Sequence, residues 1–210
     1  GLIPAGPGAS HQSLRDIALF ASLPDATVVE PATSGEARLL TAYLVEQAQG
    51  PCLMRMVIGP SPGEIELPAD YRPSPGRGVV LQDGKECALL AYGPVMLNEA
   101  LKAGKLLKER GVALAVVNMP WLNRFDPDWL RELTGTYTSL FVLEDHTSTG
   151  GLADHLLAAL TEERLLDGIA FSRFAIDGLP ACGTPAEALA AHRVDAASLA
   201  QRILQAQGIA

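Results

Sequence analysis

Glu86-Cys-Ala-Leu-Leu-Ala-Tyr92, the stretch Val95–Arg110 and Val112-Ala-Leu-Ala-Val-Val117 together decide the fold. The first reads as a strand and the last as a buried strand, because both are nearly all apolar. The stretch between them is amphipathic at helical spacing. Leu97, Ala100, Leu101 and Leu107 fall on its inward side, and Lys102, Lys105 and Lys108 on its outward side. Gly111 is placed to stop the helix. Strand, helix and strand at these lengths form a βαβ unit, which calls for a parallel sheet.

Working outward, the same alternation continues. Asp126-Pro127 opens a helix with proline at its favoured first position. Ser139-Leu-Phe-Val-Leu143 reads as a strand, Leu152 to Leu165 as a helix, Ile169 to Ala175 as a strand, and Ala186 to Gln207 as mostly helix. On the other side, Gly78-Val-Val-Leu-Gln82 is expected to pair with Glu86–Tyr92 as a hairpin about Asp83-Gly84.

Towards the N-terminus, Ser10 is a suitable cap for a helix carrying Leu14, Ile17, Ala18 and Ala21, which Pro24 ends. Thr27-Val-Val-Glu30 predicts a short strand. Thr33 or Ser34 caps a helix through Ala37, Leu40, Leu44 and Ala48, and Gly50-Pro51 stops it. Cys52-Leu-Met-Arg-Met-Val-Ile58 predicts a second strand, apolar enough to be covered on both faces. Residues 59–78 hold five prolines, at 60, 62, 68, 73 and 75, which exclude a regular helix or central strand. The expected organisation is therefore an αβαβ unit over 1–58, a Pro/Gly-rich linker over 59–78, and an α/β domain over 79–210 with a mainly parallel five-stranded sheet flanked by helices.

Composition narrows the function. The 210 residues are 48% hydrophobic and 19% charged, enough apolar material for a core and too little charge for a disordered chain. With 24 acidic against 16 basic residues the net charge is −8, and no cluster of cations is present to hold nucleic acid. No apolar run reaches the ~18–20 residues that span a bilayer. Cys52, Cys87 and Cys182 are widely spaced and odd in number, and they read as buried free thiols in a reducing compartment such as the cytoplasm. The Gly/Pro-rich start at Gly1 reads as a loop, so the sequence is expected to be part of something longer.

Two residues stand out for chemistry. His11 sits in a glycine-rich loop at a helix start, where a histidine is either a solvated cap or a proton carrier. Arg55 lies inside an apolar strand. A charge there needs a partner, which leaves a structural ion pair and an anion-binding arginine both open. Glu144-Asp145-His146 ends a strand ahead of Gly150-Gly151 and a helix, where open α/β sheets bind ligands. The alternative for that stretch is a tight turn and a helix capped by Thr149. No metal-ligand spacing, phosphate-binding Walker loop or G-x-S-x-G elbow is present.

Taken in order, Gly8-Ala-Ser-His-Gln12, Asp16-Ile-Ala18, Leu23-Pro24, Val28-Val-Glu-Pro31, Glu36-Ala37, Gly50-Pro51 and Arg55 resemble the end of the pyrimidine-binding domain of the transketolase family of thiamine-diphosphate enzymes. Ala91-Tyr-Gly93, Asn118-Met-Pro120, Asp126-Pro127, Val142-Leu-Glu144 and Gly150-Gly151 resemble stations of that family's C-terminal domain. The resemblance implies that His11 relays protons beside the cofactor's aminopyrimidine and that Arg55 grips a substrate phosphate. It implies that Gly150 and Gly151 lie at a homodimer interface. Thiamine diphosphate and Mg2+ would be held in the complete enzyme, mainly by an N-terminal diphosphate-binding domain or subunit outside this chain, and not by this chain alone. The implied reaction is transfer of a two-carbon ketol unit between sugar phosphates. A deoxyxylulose-phosphate synthase, a 2-oxoacid dehydrogenase β-subunit and a non-catalytic assembly module are the alternatives. The chain departs from the family pattern at Pro7, at Met56–Pro60 and at Ala153.

Overall fold

The computed structural model describes residues 1–209. The first elements are α1 (Asp16–Ala21), β1 (Thr27–Val29), α2 (Ser34–Glu46) and β2 (Cys52–Met54), with β1 and β2 paired in parallel. Ten further elements follow: β3 (Val79–Gln82), β4 (Cys87–Ala91), α3 (Gly93–Glu109), β5 (Leu114–Asn118), α4 (Pro127–Thr136), β6 (Ser139–Thr147), α5 (Leu152–Glu162), β7 (Ala170–Ile176), α6 (Pro185–Ala191) and α7 (Ala196–Ala206). The second sheet has the order β3-β5-β4-β6-β7, and all its pairings are parallel except β3 with β5. This is the mainly parallel five-stranded sheet that the alternation predicts.

Period-two alternation along the strands feeds two cores. Leu89, Val116 and Phe141 point into one, which α3, α6 and α7 cover. Leu90, Val117 and Val142 point into the other, which α4 and α5 cover together with Ile17, Val28, Val29 and Leu40. A sheet sealed on both faces is why its central strands have no polar side. The N-terminal unit therefore packs against the larger sheet. Leu122 donates its N–H to the Val28 carbonyl and Glu30 to that of Pro120, which clips β1 to the segment after β5.

Several expectations are corrected. β3 and β4 do not form a hairpin, because β5 lies between them. Gly84 lets the chain cross β5, since a Cβ there would lie 2.0 Å from the Ala115 nitrogen. The helix expected from Ser10 begins at Asp16, and residues 9–15 form a loop. The strand expected over 52–58 ends at Met54. β2 has β1 as its one strand neighbour, and Met56 and Ile58 are about 70% exposed (69% and 71%). The C-terminal helix breaks in two at Arg193, whose φ is +56°, and Asp195 caps α7 through the Ala197 and Ser198 amides. Cys87 is buried as expected, but Cys52 and Cys182 are exposed.

Residues 59–78 contain no helix or strand, in keeping with their prolines. They are nevertheless anchored along their length. Ile65 enters the first core, the Tyr71 hydroxyl donates to Glu36 at 2.7 Å, and Arg77 pairs with Asp126 and Glu132. No helix among the described residues is long and apolar enough to cross a membrane.

Candidate functional site

The carboxyl ends of β1, β2, β4 and β6 converge. Glu30 follows β1, Arg55 follows β2, Tyr92 follows β4, and Asp145 lies near the end of β6. Open α/β sheets place ligands at such ends, because diverging loops there leave a crevice. A cavity of about 280 Å³ opens at this point, lined by His11, Asp16, Glu30, Arg55 and Asp145 among others. The structure thus brings both singled-out residues, His11 and Arg55, to one cavity.

Arg55 is 5% exposed and carries a heavy load of partners. Its Nε donates to Asp16 at 2.9 Å, and its Nη1 donates to Glu30 and, at 3.2 Å, to Asp145. Its guanidinium carbon stands 5.5 Å from the centre of the Tyr92 ring. Nη2 has no partner among the described residues. Burial alone disfavours the charge, but the surrounding carboxylates outweigh it and hold the guanidinium firmly protonated. Burial pushes the Glu30 carboxyl up to about 7 against the pull of Arg55. For Asp145 burial is outweighed by Arg55, and its carboxyl sits well below the ordinary range. Both the ion pairs and the unpartnered nitrogen are thus present at this arginine.

His11 differs in every respect. It is exposed, and its Nδ1 meets the Ser10 hydroxyl at 3.0 Å. Its imidazole is available at the cavity wall, whereas its neighbour Gln12 is buried.

His146 is not part of this cavity's lining. Its ring is used up as a strut, with Nδ1 bonded to the Thr147 carbonyl at 2.9 Å and Nε2 facing the Ala18 amide at 3.4 Å. Burial lowers its pKa, which matches a neutral ring that accepts at Nε2. Glu144 is fully buried, with neither carboxyl oxygen hydrogen-bonded. Burial pushes it up to about 8, partly offset by the Leu152 amide, the Arg173 charge and the Ala153 amide, the two amides facing it from the start of α5 without hydrogen-bonding geometry. The cap of α5 is Gly151 and not Thr149.

Gly150 and Gly151 have contacts within the chain. A Cβ on Gly150 would lie 2.6 Å from the Ala18 Cβ, and one on Gly151 would lie 2.0 Å from a Glu144 oxygen. They let α1, β6 and α5 approach closely. Among the described residues no three His, Cys, Asp or Glu side chains converge to hold a metal ion.

Sequence reasoning missed Asp16, Glu30 and Tyr92 as members of the site. The signal for Glu30 was a carboxylate closing the short strand Thr27-Val-Val-Glu30. For Tyr92 it was a tyrosine directly after an apolar strand.

A doubly covered, mainly parallel α/β sheet with a polar crevice at its strand ends defines the class. The family described as "Transketolase, C-terminal domain" matches residues 76–199, and the chain belongs to it. Among curated proteins it is similar to the 1-deoxy-D-xylulose-5-phosphate synthase of Rippkaea orientalis, 28% identical over 97% of this chain and 32% of that protein. It is also similar to the enzyme of that name from Synechococcus sp. strain WH7803, 34% identical over 78% of this chain and 24% of that protein. The chain therefore spans about a third or less of these relatives. Among solved structures, a split-gene transketolase described as an inactive β4 tetramer matches with a TM-score of 0.81 at 29% identity, over 96% of this chain and 63% of that one. A transketolase mutant from Pichia stipitis shares the fold, with a TM-score of 0.79 at 16% identity over 98% of this chain and 29% of that one.

Proposed function

We propose that this chain is the C-terminal part of a thiamine-diphosphate-dependent, transketolase-type enzyme, either as a segment of a longer polypeptide or as one subunit of a split enzyme. The reaction is transfer of a two-carbon ketol unit between sugar phosphates. The observation that carries this reading is the meeting of His11 and Arg55 at one cavity at the strand ends, in a chain of this family. The diphosphate and its magnesium belong, in this reading, to the N-terminal domain or partner subunit. The cofactor supplies the electron sink for carbon–carbon cleavage. The part assigned to this chain is proton handling: the His11 imidazole gives a proton to, and recovers it from, the substrate's carbonyl oxygen.

A second reading, 1-deoxy-D-xylulose-5-phosphate synthase, is favoured by the names of the curated relatives. The complete enzyme separates the two. A ketose phosphate donor is consumed under the first reading, and a 2-oxoacid donor with release of carbon dioxide under the second. Turnover of neither donor would contradict both.

Arg55 also has two readings. As a phosphate grip, it would use Nη2, the nitrogen left unpartnered among the described residues. The three carboxylates on its other nitrogens favour a structural keystone, because they repel a phosphate dianion. A grip predicts that Arg55→Ala raises KM for phosphorylated substrates far more than for their unphosphorylated analogues. A keystone predicts equal losses. The assembly expected is a homodimer with Gly150, Gly151 and α5 near its two-fold axis.

A further inference from the structure

We propose that Gln12 is a positioning residue for His11, acting through the segment 180–183 that joins β7 to α6. The proposal rests on the His11 reading above and adds what holds that histidine in place.

His11 has little of its own to fix it. Its ring touches the hydroxyl of adjacent Ser10, and its amide bonds to the Gly8 carbonyl at 2.9 Å, both within the same loop. The next side chain is the one that leaves the loop. Gln12 is 7% exposed, and its Nε2 donates to the Leu2 carbonyl at 3.0 Å and to the Ala181 carbonyl at 2.9 Å. A side-chain amide has two N–H donors, and both are used. One of these bonds joins residues 169 positions apart.

Ala181 is itself held from the other side. Its N–H donates to the His192 Nε2 at 3.0 Å. Below the loop, Gly8 adopts φ +80°, and a Cβ there would lie 2.9 Å from the Cys182 sulfur. Gly183 adds a long amide contact to the Ala5 carbonyl at 3.5 Å, and a capping box between Thr184 and Glu187 fixes the start of α6 just beyond. The loop bearing His11 therefore rests on the C-terminal half, and Gln12 is the side chain that ties it there. Proton transfer needs heavy atoms within about 2.6–3.2 Å. A shift of ~1 Å in such a group costs up to ~10²-fold in rate.

The test compares His11→Ala, Gln12→Met and the double variant in the complete enzyme. Methionine keeps the length of glutamine and removes both donors. Gln12→Met is expected to lower kcat by about 10- to 100-fold with KM changed only a few-fold. The double variant is expected to be no slower than His11→Ala, because Gln12 acts through His11. Losses that multiply in the double variant would overturn the proposal, since a purely structural role predicts that result. Wild-type kcat for Gln12→Met beside an impaired His11→Ala would overturn it alone. Wild-type kcat for His11→Ala would overturn the reading of the site and this proposal with it. If Gln12→Met does not fold, Gln12→Asn carries the test. It keeps the amide on a stem too short to reach both carbonyls, so it predicts an intermediate loss of kcat, and an unchanged kcat overturns the proposal.

Discussion

Arg55, which follows β2, and Asp145, near the end of β6, lie 3.2 Å apart although 90 residues separate them in sequence. The pair joins the small N-terminal sheet to the large one, with Glu30 and Asp16 completing the cluster. Three carboxylates share one guanidinium, so the cluster depends on that single positive charge.

Arg55→Ala is therefore expected to destabilise the fold by about 3–5 kcal/mol, because buried carboxylates lose their counter-charge. Urea unfolding at neutral pH measures this. Adding Asp145→Asn to Arg55→Ala should recover part of the loss, because one stranded charge is removed. A single-variant loss below about 1 kcal/mol would mean that the cluster is not a keystone.

Glu144 gives a pH dependence with a definite sign. Its folded carboxyl titrates at about 8 instead of the ordinary 4.5, because it is buried. Between those values the folded chain holds a proton that the unfolded chain has released, so stability falls as pH rises from 4.5 towards 8. Glu144→Gln should flatten that slope and make the variant the more stable protein at alkaline pH. Denaturant midpoints at mildly acidic and alkaline pH read the difference. A slope identical in both proteins would count against an unpaired carboxyl here.

His146 acts on the acid side. Burial lowers its folded pKa below the ordinary 6.5, so the unfolded chain takes up the proton first as pH falls. Its contribution is present above 6.5 and is lost progressively as pH falls below that value and through the lower folded pKa. Protonation would also remove the acceptor that faces the Ala18 amide. Hydrogen exchange at Ala18, corrected for the intrinsic pH effect, should quicken on acidification in the wild type. His146→Leu should show fast exchange at every pH.

Gly150→Ala is expected to cost about 1–3 kcal/mol, because a Cβ would press on α1 and the residue sits at φ +76°. Assembly is better tested at Thr149, which is exposed beside the glycine pair. Thr149→Arg should shift a homodimer towards monomer in sedimentation while the helix content by circular dichroism stays that of the wild type, and an unchanged dimer would remove this edge from the interface.

The larger sheet was legible because each of its strands answers to a local signal. Leu114 to Val117 is apolar at every position since it is buried on both faces. Asp126-Pro127 starts α4 where the cap chemistry places it, with the Asp126 carboxylate accepting from the Trp129 amide at 2.8 Å. What misled was pairing. The turn-like Asp83-Gly84 suggested a hairpin, and only the long-range insertion of β5 excludes it. Likewise, the apolar Met56 and Ile58 lengthened β2 on paper, although pairing ends at Met54. At the candidate site, the local sequence left both His11 and Arg55 open between a bland and a chemical role, and only the ordered family resemblance singled them out. The structure adds that both line one cavity. Asp16 and Glu30 were not legible as site residues, because a carboxylate at an element's end looks the same in sequence whether it faces water or an arginine 39 or 25 residues away.

The central claim is that this chain supplies the proton relay of the complete enzyme, and kcat of His11→Ala tests it most directly. His11 is exposed and, among the described residues, its ring bonds only to Ser10, so the variant should fold and melt like the wild type. The account predicts a fall in kcat of roughly 10²–10⁴ with Tm unchanged. A His11→Ala enzyme that turns over at the wild-type rate would contradict it.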